Sequence, residues 1–424
     1  MKKRISIFTL GCRVNAYESL ALADSAREYG FEVVKWGEKA DIAVINSCAL
    51  TVLAQAKTRQ AVRNFSKNNP SAKIAITGCY AQVSPEDLKK IDAVEWIIPN
   101  TDKLKTISII CNDNSSQSAS ITDNGFIDDR VNLKIQDGCD NFCAYCIIPR
   151  ARGLPLSRSF DDIIGDARNL VSRGAREIIL TGINMAKFTW EGGKLPELCD
   201  EISKIDELIR IRIGSLEPNS LNDILPLVER AADPSHKLQP HLHISAQSLS
   251  NRVLKAMRRN NSVEDFLDIV NKATLICPDI SIGTDIICGH PFEREEDYLE
   301  TKEKLSNSQL AYAHVFTFSP RPKTVAATMQ ADTPPTEIRK QRADNLRISA
   351  SELKIKFMES QRGKERLVLL ENQLVDGSYL AHTDNYLQVA TSPAPKGMKN
   401  KLALVKLGKS IGAERMEAKI VEIK

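Results

Sequence analysis

Short apolar runs, each followed by a segment of helical period, recur along the chain to about residue 330, and that alternation admits little besides parallel α/β sheets. In the first hundred residues Arg4–Leu10, Ile42–Asn46 and Lys73–Thr77 read as buried strands, with helices over Ala16–Tyr29, Leu53–Lys67 and Pro85–Lys90. Each strand runs into a cysteine. Cys12, Cys48 and Cys79 are separated by 36 and 31 residues, one βα unit each. Three successive parallel strands would thus deliver three thiols to one sheet edge, the edge where open α/β folds bind ligands. Cysteines that merely fill a core are better served by strand interiors than by strand ends.

Six further units follow, with strands at Asn132–Gln136, Glu177–Thr181, Ile209–Ile213, His241–Ser245, Ile280–Asp285 and His314–Phe318. Repeats of about 31 residues fit a partial (β/α)6 barrel, whose chemistry lies at the C-terminal ends of the strands. Directly after the first of them stands Cys139-Asp-Asn-Phe-Cys143-Ala-Tyr-Cys146. A closed zinc site needs four ligands, and no fourth Cys or His follows nearby. Three thiolates in one short loop suit a [4Fe–4S] cluster whose fourth iron stays open to an outside molecule.

Polar, turn-rich Asn112–Gly125 reads as a linker, and Pro334-Pro335 marks a second boundary. A charged helix over Thr336–Ser360 leads to short strand-like runs at Arg366–Glu371, Tyr386–Ala390, Leu402–Lys406 and Ala418–Glu422, with turns such as Asp376-Gly377 between them. Such a tail reads as a small β-barrel. The expected organisation is an open parallel α/β sheet (1–115), a barrel-like core (126–335), a linker helix (336–360) and a β-barrel (361–424). Charge divides unevenly among them. From Thr336 to Lys424 there are 17 Lys and Arg against 11 Asp and Glu, while residues 1–335 hold 41 and 43. A polyanion partner at the tail is consistent with that excess, and so is a solvated basic face.

No stretch approaches the ~18 apolar residues of a membrane span, and Met1-Lys2-Lys3-Arg4 leads into an alternating strand instead of a signal-peptide core. A cytoplasmic protein is expected, with no membrane partner. In that compartment ten cysteines point to metal or redox chemistry more than to disulfides.

The cysteine loop, with Tyr145 before its last cysteine, resembles the hallmark of the radical S-adenosylmethionine (SAM) superfamily. Thr9-Leu-Gly-Cys12-Arg-Val-Asn15, Ile45-Asn-Ser-Cys48-Ala-Leu-Thr51 and Ile76-Thr-Gly-Cys79-Tyr-Ala-Gln82 resemble the three cluster words of the radical-SAM methylthiotransferases. Gln136-Asp-Gly-Cys139, Cys146-Ile-Ile-Pro149, Arg152-Gly153, Ser157-Arg158 and Ser319-Pro320-Arg321-Pro322 extend the likeness. The tail resembles the TRAM domain, an RNA-binding β-barrel, most recognisably at Thr383–Val389.

The resemblance implies two [4Fe–4S] clusters: an auxiliary one on Cys12, Cys48 and Cys79, and a SAM-binding one on Cys139, Cys143 and Cys146. It implies that one SAM serves as methyl donor and another as radical source, and that a methylthio group replaces a hydrogen. The expected partners are the anticodon stem-loop of tRNA, an electron donor such as flavodoxin or ferredoxin, and a sulfur source. Gln136-Asp-Gly-Cys139 and Cys146-Ile-Ile-Pro149 with Ala151-Arg152-Gly153 look most like the branch acting on N6-threonylcarbamoyladenosine at position 37 of tRNA. Isopentenyladenosine in tRNA and an aspartate of a ribosomal protein are the alternatives. A non-catalytic Fe–S RNA-binding protein is the rival of another class.

Other positions carry weaker expectations. Asn184, Glu217, Gln247 and Asp285 fall at or just past successive barrel strands, where they would hold the SAM amino group and ribose hydroxyls or else cap helices and turns. Leu249, Phe292 and Lys323 stand where the family words have glycine, and bulk there could alter the barrel mouth or substrate pocket. His241 and His243 share a strand face with nothing to complete a zinc triad. Gly408-Lys409-Ser410 imitates the end of a P-loop, but Ala403 and the β context exclude one. Cys111, Cys199, Cys277 and Cys288 read as structural.

Overall fold

The chain begins with strand β1 (Arg4–Thr9), helix α1 (Arg13–Glu28) and strands β2 (Glu32–Val34) and β3 (Ile42–Ser47). Helix α2 (Val52–Asn68), strand β4 (Lys73–Gly78), the short helices α3 (Cys79–Val83) and α4 (Pro85–Lys89), strand β5 (Val94–Ile97) and helix α5 (Thr106–Ile110) complete the first layer. The five strands form one parallel sheet in the order β2-β1-β3-β4-β5. Every residue of β3, Ile-Ala-Val-Ile-Asn-Ser, is buried, as expected of a strand covered on both faces. Thr51 caps α2 by accepting from the Ala54 amide at 3.0 Å, and Pro85 opens α4, where its missing N–H has no partner to lose.

Strand β6 (Arg130–Lys134) and the short β7 (Gln136–Asp137) carry the chain into the cysteine loop, which ends in helix α6 (Ile148–Arg152). Strand β8 (Leu156–Ser157) pairs back on β7; helix α7 (Phe160–Ser172), strand β9 (Glu177–Thr181) and helix α8 (Leu195–Ser203) follow, with β9 parallel to β6. Ile147 and Ala151 of the cysteine loop and α6 join the core of the first sheet beside Ile45, Ile74 and Ile76. Full burial of an isoleucine is worth about 2–3 kcal/mol, enough to seat the loop firmly. These elements and Ser319–Thr328 make one compact unit, Met1–Ile209 with that segment.

The second unit, Arg210–Phe318 with Met329–Lys424, contains strands β10 (Arg210–Ile213) and β11 (Ser215–Leu216), helix α9 (Leu221–Ala232), strand β12 (His241–Ile244) and helices α10 (Asn251–Ala256) and α11 (Val263–Ile276). Strand β13 (Ser281–Cys288), helix α12 (Glu295–Asn307) and strand β14 (Tyr312–Thr317) complete a parallel sheet in the order β11-β12-β13-β14. Helix α13 (Thr336–Gln361) then leads to β15 (Glu365–Gln373), β16 (Tyr379–Thr383), β17 (Gln388–Thr391), β18 (Leu402–Ile411) and β19 (Arg415–Ile423), which close a barrel in the order β15-β16-β17-β19-β18. Val368, Leu370, Ala381, Val389, Val405 and Met416 fill its interior, the inward half of the period-two pattern.

The barrel is clamped to β10 and to neighbouring residues of its own unit. Arg210 donates to the carbonyls of His382 (3.0 Å) and Leu367 (2.7 Å), and Arg212 to those of Asp384 (2.6 Å) and Thr383 (2.8 Å). Tyr386 lies under the Arg212 guanidinium and against His241, while Asn385 donates to Asp279 O at 3.1 Å. Thr383–Val389, the stretch by which the tail was recognisable, is therefore packing at its start. Tyr386, expected within a strand, sits at φ +67° in the turn before β17.

The computed structural model describes residues 2–113, 118–122, 128–218, 221–329 and 332–424. Of the expected linker, 114–117 and 123–125 lie outside the described residues. Its described part is pinned down: Ala119 donates to Leu104 O at 2.6 Å and Thr122 to Asp24 Oδ2 at 3.1 Å. Among the described residues no helix is long and apolar enough to cross a membrane.

Candidate metal-cluster site

Cys12 caps α1, Cys48 follows β3 and Cys79 opens α3, so all three stand at the C-terminal ends of the adjacent strands β1, β3 and β4. The pairings Thr9 with Asn46 and Ser47 with Gly78 turn the 36- and 31-residue separations into side-by-side neighbours. At about 4.8 Å between strands, three such ends span roughly 10 Å. Asn15 staples the loops, its Nδ2 donating to Leu10 O (2.7 Å) and Ser47 O (3.1 Å). Gly11 is required between them. Its φ is +104°, and a Cβ there would lie 2.8 Å from Cys48 Cβ and 2.9 Å from its Sγ. Cys48 and Cys79 are 5% and 4% exposed, and burial pushes both thiols up. The Leu50 amide points at Cys48 Sγ from 3.5 Å.

The second trio is held locally. Gln136 turns its Nε2 to the carbonyls of Asp137 (2.5 Å) and Gly138 (2.9 Å) and accepts at Oε1 from the Ile183 and Asn184 amides at 3.0 and 2.8 Å. The Cys139 amide donates to Gly153 O and the Cys146 amide to Cys143 O, both at 3.0 Å. Gly138, at φ +71°, passes so close to Leu154 that a Cβ would fall 1.9 Å from its carbonyl oxygen. N–H groups aim at the sulfurs: Asn141 N (3.5 Å) and Asn184 Nδ2 (3.6 Å) at Cys139, and Ile148 N (3.4 Å) at Cys146. Such donors stabilise sulfur that carries negative charge, the state in which it binds iron.

A buried charge network ties the two cysteine words together. Arg152 donates to Asn15 Oδ1 at 2.5 Å and to both oxygens of Asp137 at 2.8 and 2.9 Å, with Glu18 beside it at 3.3 Å. Lys103 and Lys134 reach Glu18 at 2.5 and 2.7 Å, and Lys134 reaches Asp137 at 2.6 Å. Burial alone would raise the Glu18 carboxyl, but Lys103, Arg152 and Lys134 outweigh it and hold the group well below the usual carboxylate range. Sequence reading singled out Arg152 but missed Glu18, Lys103 and Lys134, which look there like ordinary solvated charges.

The four expected SAM contacts fare differently. Asn184 stands at the cysteine loop, 1% exposed, with its Oδ1 buried and without a hydrogen-bond partner. The other three lie in the second unit. Glu217 pairs with Arg259 at 2.6 Å, and burial, together with nearby Asp285, leaves its carboxyl raised. Gln247, at φ +71°, exchanges backbone bonds with Asp285 O and Ile287 N. Asp285 lies 3.3 Å from His243 Nε2, while His241 Nε2 meets the Tyr312 hydroxyl at 2.9 Å. Ser410 lies on β18, bonded to Glu359, which agrees with excluding a P-loop. Cys199, Cys277 and Cys288 are buried, but Cys111 is exposed and so is no core residue. Phe292 and Lys323 occupy the left-handed backbone that glycine favours (φ +68° and +70°), whereas Leu249 is fully buried.

Among the described residues no three His, Cys, Asp or Glu side chains converge as tightly as a single metal ion requires. A four-iron cube is larger than one ion and holds its thiolates further apart. Each trio offers soft sulfur donors alone, which suits iron–sulfur chemistry better than a hard cation. The residues present fit such a cluster.

A parallel α/β architecture with this cysteine loop after β6 defines a radical-SAM protein. The profile of the radical SAM superfamily matches residues 133–305, and that of "Uncharacterized protein family UPF0004" matches residues 4–98. The chain is 33% identical over 89% of its length to threonylcarbamoyladenosine tRNA methylthiotransferase MtaB of Aquifex aeolicus, covering 95% of it. It is 34% identical over 96% of its length to the Bacillus subtilis protein of that name, covering 94%. A tRNA-2-methylthio-N(6)-dimethylallyladenosine synthase of Endomicrobium trichonymphae is 32% identical, with 98% and 97% covered. In three dimensions the chain is similar to the radical SAM methyltransferase TsrM of Kitasatospora setae, at a TM-score of 0.55, 12% identity and 77% of each chain, a likeness of fold alone. The chain belongs to the radical-SAM tRNA methylthiotransferase family, and it is an enzyme of the transferase class.

Proposed function

We propose that this enzyme converts N6-threonylcarbamoyladenosine at position 37 of tRNA, next to the anticodon, to its 2-methylthio derivative, consuming two SAM per turnover. The observation that carries the two-cluster reading is the pair of thiol trios, one at three neighbouring strand ends and one in a single loop, both packed on the core of the same sheet. When bound, the clusters and SAM supply the electron, the 5′-deoxyadenosyl radical, the methyl group and the sulfur that this chemistry needs. Cys12, Cys48 and Cys79 hold the auxiliary cluster, and Cys139, Cys143 and Cys146 hold the SAM-binding one. Asn184 donates to the Cys139 sulfur and keeps a buried, unpartnered oxygen that would accept from the SAM amino group; Glu217, Gln247 and Asp285 are the remaining candidates for SAM. Arg152 puts a permanent positive charge near Cys79, which works against the burial that pushes its thiol up. Buried surroundings around Cys48 and Cys79 keep water away from the sulfur.

The segments 126–335 and 361–424 act in this reading as a partial (β/α)6 radical-SAM barrel and a TRAM domain, joined by the helix 336–360, with 1–115 as the methylthiotransferase domain. Exposed Lys396, Lys399, Lys401, Lys406 and Lys409 would meet tRNA phosphates, since the Thr383–Tyr386 turn is occupied in packing. A reductant of the flavodoxin or ferredoxin kind and a sulfur source complete the set. The relatives named for the threonylcarbamoyl substrate support that branch; isopentenyladenosine stands second because similar relatives carry that name. Nucleoside mass analysis of tRNA from a deletion strain tests the choice. Loss of 2-methylthio-threonylcarbamoyladenosine, restored by the gene, is expected; loss of the isopentenyl derivative instead would overturn it.

A further inference from the structure

Ser319–Thr328 follows β14 in sequence but belongs to the unit that carries both cysteine trios. The Ala326 amide donates to Ala144 O, between Cys143 and Cys146, at 2.7 Å, and Lys323 Nζ donates to Val83 O, at the end of the helix that Cys79 opens, at 2.8 Å. The segment is thereby tied to both cysteine loops. Arg321, two residues ahead of Lys323, is 4% exposed. Its Nε and Nη1 are buried without a hydrogen-bond partner, and Nη2 finds the Ser319 hydroxyl at a long 3.4 Å. No carboxylate among the described residues faces it, and the acidic group that acts on it is the Cys48 thiol. Arg152, as deeply buried, is neutralised by Glu18 and Asp137. A guanidinium keeps its proton, so one sealed from water with idle donors is strongly unfavourable until an anion reaches it.

We infer that Arg321 is the anion-holding residue of the auxiliary site, where its idle N–H groups bind an anionic sulfur ligand, hydrosulfide or an alkyl thiolate, beside Cys48. The inference rests on the assignment of a cluster to Cys12, Cys48 and Cys79. Sulfur, as against oxygen, follows from the thiophilic open iron that a cluster on Cys12, Cys48 and Cys79 would present. The charge on Arg321 steadies the ligand as an anion, and its place on a segment tied to both cysteine loops fixes where that ligand sits.

The full chain carrying Cys139→Ala, Cys143→Ala and Cys146→Ala, reconstituted anaerobically, isolates the auxiliary site. Absence of iron in it overturns the cluster assignment and this inference together. With iron present, methanethiolate is expected to shift the EPR signal of the reduced sample saturably. Arg321→Met then weakens that binding about ten-fold or more, as loss of a charge-assisted hydrogen bond should, and Arg321→Lys recovers part of it. Binding by Arg321→Met within about two-fold of its parent overturns the role while leaving the cluster assignment standing. An equal response to acetate overturns the preference for sulfur. If Arg321→Met loses iron, Arg321→Lys and Arg321→Gln are compared at full iron content: tighter binding by the lysine form supports the role, and equal binding overturns it.

Discussion

Cys12, Cys48 and Cys79 are gathered from three strand ends 36 and 31 residues apart, whereas Cys139, Cys143 and Cys146 fit within one loop. The first trio exists because a five-stranded sheet has the right order and register. The second exists because Gln136, Gly138 and a few backbone bonds bend one stretch of chain. A site of the first kind fails with its sheet; a site of the second kind fails with its loop. Arg152 is the point where this independence breaks down, because it binds Asn15 of one word and Asp137 of the other.

The sharpest way to separate the trios is to remove one thiol from each. Cys143→Ala should reduce 5′-deoxyadenosine formation from SAM to background, while Cys48→Ala should retain cleavage and lose methylthio product entirely. Each should bind about four irons where the parent binds about eight. Retention of methylthiolation by Cys48→Ala would end the two-cluster assignment. Next in size is Glu18→Gln, which leaves Lys103, Lys134 and Arg152 facing one another and should lower stability at pH 7 by about 3–5 kcal/mol. The depressed Glu18 carboxyl contributes stability that is present above its usual value of 4.5 and is lost as pH falls toward its folded value. Denaturant melts should therefore show the parent weakening below about pH 4.5 more steeply than the variant.

Smaller effects sharpen the contrast between the two constructions. Gly11→Ala combines a left-handed backbone with a 2.8 Å approach to Cys48, so it should cost about 2–3 kcal/mol and reduce iron bound by the first trio, sparing the second. Gly153→Ala, at φ +77° and ψ −163° with open space around its Cβ, places a side chain in a region kept almost wholly for glycine and should cost about 1–3 kcal/mol from backbone strain alone. Least is expected of Lys323→Gly. Relief of left-handed strain, about 1–2 kcal/mol, is offset by loss of the bond to Val83 O, about 1 kcal/mol, so thermal melts should move little.

Much of this was legible in the sequence because it is written in spacing. The strand before each of Cys12, Cys48 and Cys79 appears within a residue of where it was expected, and the cysteine loop follows its strand directly. What escaped is what depends on distant partners. Strands β2, β5 and β16 lack the length or apolar content to announce themselves, and Tyr379–Thr383 is a strand because its barrel neighbours pair with it. Glu18, Lys103 and Lys134 come from separate segments, and nothing periodic links them. Phe292 and Lys323, noted for replacing glycine, keep the backbone shape that glycine would have given, which no propensity foretells.

The clamp of Arg210 and Arg212 on Leu367, His382, Thr383 and Asp384 has a bearing on ancestry and engineering. Both arginines are almost wholly buried, so a chain cut short after α13 would strand two guanidiniums on a bare sheet edge. The barrel at the end of this chain is no interchangeable cassette: grafting another in its place means importing carbonyls for both, or retiring both arginines at the same time.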